Sequence, residues 1–123
     1  MFELKVVTHM AAAHQLRDYE GGCEKLHGHN WKIEVCVTGK DLGPCGLLID
    51  FKRVKEATGK VISELDHAFL NDLEPFRSVN PSSENIAHYV FQSLSHDLND
   101  GNITVSKVTA WESETACATF MEP

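Results

Sequence analysis

Long apolar runs are missing from this 123-residue chain. None approaches the roughly 20 residues needed to span a bilayer, so no membrane helix is expected. The opening Met1-Phe2-Glu3-Leu4-Lys5 lacks a basic segment followed by an apolar one, so export is not indicated and the cytoplasm is the expected compartment. No CxxC pair occurs among Cys23, Cys36, Cys45 and Cys117, which argues against a zinc ribbon and a thioredoxin-type redox site. Without an export signal, these thiols are expected to be reduced. Neither GxGxxG nor a Walker sequence is present, so no nicotinamide or nucleotide cofactor is implied. Positive charge is scarce. Lys and Arg total 11 against 18 Asp and Glu, a net charge of −7, which disfavours nucleic acid and anionic membrane as partners. No linker, repeat or low-complexity stretch interrupts the chain, and residues 1–123 are read as a single domain.

What the chain does have is ordered hydrophobic periodicity. Phe2, Leu4 and Val6 alternate with Glu3 and Lys5, and the even positions continue through Met10, Ala12 and His14, predicting a first strand. Residues 17–26 are polar, contain Gly21-Gly22 and read as a loop. Alternation resumes at His27, with Trp31, Ile33, Val35 and Val37 on one face. Asp50 is placed to cap a helix carrying Val54, Val61, Ile62 and Leu65, and Ser82 or Ser83 to cap another carrying Ile86, Ala87, Val90, Leu94 and Leu98. Residues 66–81 read as largely irregular. Segments 103–111 and 115–120 read as two more strands. The order strand–strand–helix–helix–strand–strand predicts an α+β domain, a four-stranded antiparallel sheet with both helices on one face. Met10, Trp31, Cys36 and Trp111 read as core or subunit contacts, and His9, His88 and His96 as solvated or structural.

The sharpest local feature is His27-Gly28-His29. Residues i and i+2 of an extended chain project from one face, so two imidazoles can reach one cation, with Gly28 expected to leave the space between them open. Catalytic zinc takes three protein ligands and keeps a fourth position for water or substrate. His14 is the best third candidate, because an antiparallel return brings His27 back to it. Iron or manganese would also suit three histidines. Standing alone, His-x-His occurs by chance in many chains, and His14 taken alone reads first as a satisfied polar residue at a strand end. Cys23, four residues before His27, is either a plain loop thiol or one whose pKa a nearby dication depresses, making it a base or nucleophile. Asp66-His67 is either an ordinary helix end or a carboxylate orienting an imidazole for proton transfer. Glu112, on composition alone, is a surface carboxylate.

Six stretches resemble the 6-pyruvoyltetrahydropterin synthase superfamily, in the family's order and over nearly the whole chain: Ala11-Ala12-Ala13-His14, Cys23-Glu24-Lys25-Leu26-His27-Gly28-His29-Asn30, Leu48-Ile49-Asp50-Phe51, Leu65-Asp66-His67-Ala68-Phe69-Leu70-Asn71, Asn80-Pro81-Ser82-Ser83-Glu84-Asn85 and Trp111-Glu112-Ser113. The short Cys-x-x-x-His-Gly-His spacing resembles the bacterial 6-carboxytetrahydropterin synthase branch of queuosine-precursor synthesis. The chain departs from the family in having Ser82 after Pro81, where Thr is common. The resemblance implies the tunnelling fold, with trimers closing a twelve-stranded barrel and two trimers stacking as a homohexamer. It implies zinc on His14, His27 and His29, and proton transfer by Cys23, Asp66 and His67, the Asp-His pair reaching a neighbouring subunit's Cys. It also implies a pterin anchored by Glu112. The reaction implied converts 7,8-dihydroneopterin triphosphate to 6-carboxy-5,6,7,8-tetrahydropterin, acetaldehyde and triphosphate. A pyruvoyl-forming synthase, which only eliminates triphosphate, is the alternative within the family, and a member that binds pterin without catalysis is another. A cupin-like metal barrel is a remote alternative. Glu34 mimics part of a cupin motif, but its parity is opposite to that of the histidines and no second motif follows. Arg17, Lys25, Lys52 and Arg53 are candidates for gripping the triphosphate, with no spacing to choose among them.

Overall fold

The computed structural model describes all 123 residues, Met1–Pro123. Strand β1 (Phe2–His14) and strand β2 (His27–Gly39) pair antiparallel without a break, from Phe2 opposite Gly39 to His14 opposite His27. Helix α1 spans Phe51–Leu65 and is followed by a two-residue strand β3 (Ala68–Phe69) and short 3-10 turns at Leu70–Asp72 and Glu74–Phe76. Helix α2 (Ser83–Leu98), strand β4 (Thr104–Ser113) and strand β5 (Ala116–Phe120) complete the chain. The sheet order is β3-β1-β2-β4-β5.

The sheet therefore has five strands where periodicity predicts four, and one pair, β3 with β1, is parallel. Two residues carry too little pattern to be read as a strand. Ala68 and Phe69 extend beside Ala12 and Ala13 because the chain leaving α1 is fastened there: the Asp66 carboxylate accepts the Ala11 N–H at 2.9 Å, and the His67 N–H donates to the Ala11 carbonyl. The stretch 66–81 is accordingly more ordered than its prolines and polar residues suggest.

The period-2 pattern decides which face is covered. Val6, Met10 and Ala12 of β1, Trp31, Ile33, Val35 and Val37 of β2, and Val105, Val108 and Ala110 of β4 are buried in one core of 24 residues beneath the two helices. From α1 this core takes Val54, Ala57, Val61, Ile62 and Leu65, and from α2 Ile86, Ala87, Val90, Phe91, Leu94 and Leu98. Asp50 caps α1 by accepting the Lys52 N–H, and Ser82, not Ser83, caps α2 by accepting the Asn85 N–H. Gly39 is needed for close approach. A Cβ there would lie 2.5 Å from Leu48 Cδ1 and 2.7 Å from the Asn102 carbonyl oxygen.

The opposite face has no helix over it and carries charge. Glu34 bridges Lys5 at 3.4 Å and Lys32 at 3.5 Å, and Lys107 lies 3.9 Å from Glu3. Burial opposes ionisation of Glu34, but Lys5 and Lys32 together hold its carboxyl below the ordinary value. Trp111 sits on this face. Its indole N–H donates to Glu34 at 3.2 Å and Lys32 lies over its ring, so it belongs to a polar network and not to the core that holds Trp31. Cys36 and Thr109 are buried members of the same face. No helix is long and apolar enough to cross a membrane.

Candidate active site

The β1–β2 register brings the three predicted imidazoles together at one end of the sheet. His14 pairs with His27, and Ala12 with His29, so all three side chains fall on the helix-covered face. His14 is 2% exposed. Its Nδ1 lies 2.7 Å from the Pro81 carbonyl oxygen, and His27 Nδ1 lies 2.8 Å from that of Lys25. A carbonyl only accepts, so both Nδ1 atoms carry the proton, which leaves each Nε2 a lone pair in the neutral ring. Those two Nε2 atoms are 3.1 Å apart. Two lone pairs at that distance repel unless a cation lies between them. Backbone carbonyls on the far nitrogen are the usual way a protein orients metal-ligating histidines.

His29 completes the set. Its Nε2 is buried and has no hydrogen-bond partner. Glu112 Oε1 lies 3.1 Å away, but off the line along which a ring N–H would donate. Burial pushes the His29 imidazolium down in pKa. Glu112 opposes that shift, and the nearby His27 and His14 add to it. A neutral ring with an unused, inward lone pair is the form that binds metal. The ligand atoms of His14, His27, His29 and Glu112 all lie within 4.8 Å of one another. Donors about 2.0–2.1 Å from a tetrahedral ion lie about 3.3 Å apart, so the two 3.1 Å separations match edges of such a polyhedron. The residues present fit a divalent cation.

Trp31 supports the cluster from below. Its ring centroid lies 5.1 Å from that of His14 and 5.5 Å from that of His29, and its indole N–H donates to the Ala12 carbonyl. Gly28 does not open the space between the imidazoles, as its spacing had suggested. Strand alternation turns it to the bare face, where a Cβ would meet only the Ala12 oxygen at an ordinary 3.9 Å.

Asp66 and His67 form a second, separate arrangement. Asp66 Oδ2 lies 3.0 Å from His67 Nδ1, while its other oxygen accepts from Ala11. The Ala11 N–H chiefly, with His67 helping against burial, holds the Asp66 carboxyl below the ordinary aspartate value. His67 has a φ of 57° and its side chain is 82% exposed. Neither residue belongs to the four-residue ligand cluster. The imidazole faces a shallow cleft of ≈ 520 Å³ floored by Ala11, Ala13 and Gly28 on the bare side of the sheet.

Cys23 is an exposed free thiol on the loop between β1 and β2, also outside the ligand cluster. That loop is tied down by groups the sequence reading did not single out. Asn71 accepts the Gln15 N–H and donates to the Gln15 carbonyl, and Asn80 does the same for Arg17. Glu24 Oε1 accepts the Leu16 N–H, and the Glu24 carbonyl accepts from the Gln15 side chain. Arg17, a triphosphate candidate from sequence, spends its guanidinium on the Phe76 and Val79 carbonyls, and Arg53 pairs with Asp97 at 2.8 Å. Ser83 is another group missed in sequence. Its hydroxyl reaches the second oxygen of Glu112 at 3.3 Å from the first turn of α2.

With this geometry in place, similarity to known proteins becomes informative. The chain is 30% identical, over an alignment 148 positions long including gaps, to the 6-carboxy-5,6,7,8-tetrahydropterin synthase of Haemophilus influenzae, covering 99% of this chain and 100% of that protein. It is 34% identical to the dihydroneopterin monophosphate aldolase of Pyrococcus furiosus over 82% of this chain and 81% of the relative. The structure of the Caenorhabditis elegans 6-pyruvoyl tetrahydropterin synthase superposes with a TM-score of 0.84 at 24% identity, over 99% of this chain and 96% of that one, which establishes the shared fold. The model of the 6-pyruvoyl tetrahydropterin synthase family matches residues 3–123, and the chain belongs to that family.

Proposed function

We propose that the chain is a zinc-dependent lyase that converts 7,8-dihydroneopterin triphosphate and water to 6-carboxy-5,6,7,8-tetrahydropterin, acetaldehyde and triphosphate, a step of queuosine-precursor synthesis. The observation that supports this most is the convergence of the three imidazole Nε2 atoms in a chain that aligns end to end with a bacterial 6-carboxytetrahydropterin synthase. Zinc on His14, His27 and His29 supplies a Lewis acid that stabilises negative charge developing on the substrate's side-chain oxygens. The chain's own residues divide the remaining work. Cys23 Sγ removes a proton from the substrate side chain. His67, oriented by Asp66 through Nδ1, presents Nε2 for a second transfer from another side. Glu112 accepts N–H bonds from the pterin edge. Moving hydrogens from side chain to ring reduces the pterin internally, so the reaction draws on no nicotinamide.

This reading also requires more than one copy. His67 is exposed and lies apart from the ligand cluster, so it acts best on a site completed by a neighbour. The outer edge of β5 and the stretch of β1 before β3 are unpaired, which supports closure of trimers into a twelve-stranded barrel and their stacking as a homohexamer. Sedimentation at micromolar concentration should show a trimer or hexamer, and a stable monomer would contradict it. Four free cysteines and the carboxy-forming relatives support a cytoplasmic location.

The test is to incubate the zinc-loaded protein with dihydroneopterin triphosphate and identify the pterin by mass, with acetaldehyde measured in parallel. Carboxytetrahydropterin with acetaldehyde supports the proposal. A pyruvoyl pterin without acetaldehyde gives the family's other activity. The likeness to the Pyrococcus protein adds an aldolase reading, so dihydroneopterin monophosphate should be run beside the triphosphate.

A further inference from the structure

We propose that Glu112 is a fourth, displaceable protein ligand of the metal centre, closing it before substrate arrives. The inference rests on the three-histidine metal reading above and adds a residue to it. Three observations carry it. Glu112 Oε1 lies 3.1 Å from the buried, unpartnered Nε2 of His29, close enough for a shared ion and in no position to accept a hydrogen bond. A Glu112 carboxylate oxygen belongs to the set of four ligand atoms that all lie within 4.8 Å of one another. The second oxygen, Oε2, accepts from the Ser83 hydroxyl at 3.3 Å, so one oxygen is held and the other left facing the imidazoles, an arrangement suited to one-oxygen ligation.

The carboxylate is also the member that can leave. His14 is 2% exposed and two of the imidazoles are clamped through Nδ1 by backbone carbonyls. Glu112 stands near the end of β4 with its side chain 38% exposed and one long hydrogen bond to a flexible hydroxyl. A site with four protein ligands is closed, and a catalytic one needs a free position. Among the four donors, a carboxylate on rotatable bonds yields to an incoming oxygen or anion at the smallest structural cost. The site would thus admit ligands by exchange of one side chain, with the histidine frame unmoved.

The experiment uses apo-protein reloaded with zinc or cobalt(II). Zinc affinity is measured by competition with a chromophoric chelator for wild type, Glu112→Gln, Ser83→Ala and His27→Ala, with circular dichroism to verify folding. Azide is titrated into the cobalt forms and followed by visible absorption. Glu112→Gln should bind zinc about 10–100-fold more weakly, and its cobalt form should bind azide at least about tenfold more tightly, because the competing carboxylate is gone. Ser83→Ala should show the same two changes at a few-fold. Zinc and azide affinities in Glu112→Gln within twofold of wild type, with His27→Ala losing the metal, would overturn this proposal and leave the histidine site standing. Absence of zinc binding by wild type would overturn both.

Discussion

His14 is 2% exposed, with one ring nitrogen clamped to the Pro81 carbonyl, whereas the His67 side chain is 82% exposed and held only by Asp66. The two histidines lie on elements that touch, since β3, directly after His67, pairs with β1 just before His14. Their surroundings suit them to opposite work. A clamped, buried imidazole offers a lone pair in one fixed direction, which is what a metal needs. An exposed imidazole on a left-handed residue, with a carboxylate on Nδ1, can gain and lose a proton and reach a molecule brought to it. The chain keeps the two kinds apart, since His67 stands outside the ligand cluster that contains His14.

The hardest test of that contrast is to remove one histidine of each kind. His27→Ala should lower zinc affinity by more than about 100-fold, and activity should disappear with the metal. His67→Ala should keep zinc at wild-type affinity and lose turnover by about 10²–10⁴-fold. Equal zinc loss in both variants, read by chelator competition, would dissolve the distinction.

Cys23→Ala comes next. The thiol is exposed, on the loop, and outside the ligand set, so zinc content and fold should persist while turnover falls by about 10²–10⁴-fold. Serine should be nearly as damaging, because a hydroxyl is a far weaker base than a thiolate at pH 7. Loss of zinc in Cys23→Ala would make the thiol a ligand and move it to the buried side of the comparison.

A smaller effect is expected from Asp66→Asn in the acid limb of stability. The folded Asp66 pKa lies below the ordinary aspartate value, so its contribution is complete above that value, roughly 3.9, and is lost as pH falls through the lower folded one. Urea midpoints from pH 7 down to pH 2.5 should therefore show a gap between wild type and variant that closes at the acid end. A gap that stays constant with pH would mean that ionisation of the Asp66 carboxyl contributes nothing to stability. The smallest effect belongs to the bare face. Lys5→Ala removes an exposed ion pair to Glu34, and neither the melting temperature nor zinc affinity should move measurably.

The strands, both helices and their caps were legible in the sequence because each repeats a period or marks a boundary: two residues in β1 and β2, about 3.6 in α1 and α2, and a side-chain oxygen at Asp50 and Ser82. The three histidines were legible for the same reason, since strand parity places His27 with His29 and an antiparallel return delivers His14. The fifth strand was not, because Ala68 and Phe69 owe their conformation to the Ala11 N–H donating to Asp66 and the His67 N–H donating to the Ala11 carbonyl, partners 55 and more residues apart. Trp111 reads from sequence as core or a subunit contact, and the core alternative fails because residue type alone does not say which face of β4 a large ring occupies: its parity puts it opposite Lys32 on the bare side.

By itself, then, the order of residues determined the alternating strands, the amphipathic helices and the placement of three imidazoles on one face of the β1–β2 pair. Tertiary structure decided the direction of the His14 lone pair and what stands beside His29, while the His27 lone pair is set locally by Lys25. The proton on His14 Nδ1 is set by Pro81, 67 positions away, and the Glu112 carboxylate comes beside His29 only after β4 docks on β2. The same holds for Asn71 and Asn80, whose amides stand in for strand pairing along Gln15 and Arg17 and so hold the loop that bears Cys23. Hydrogen bonds of this range have no period in the chain, because their geometry exists only once the helices have been packed onto one face of the sheet.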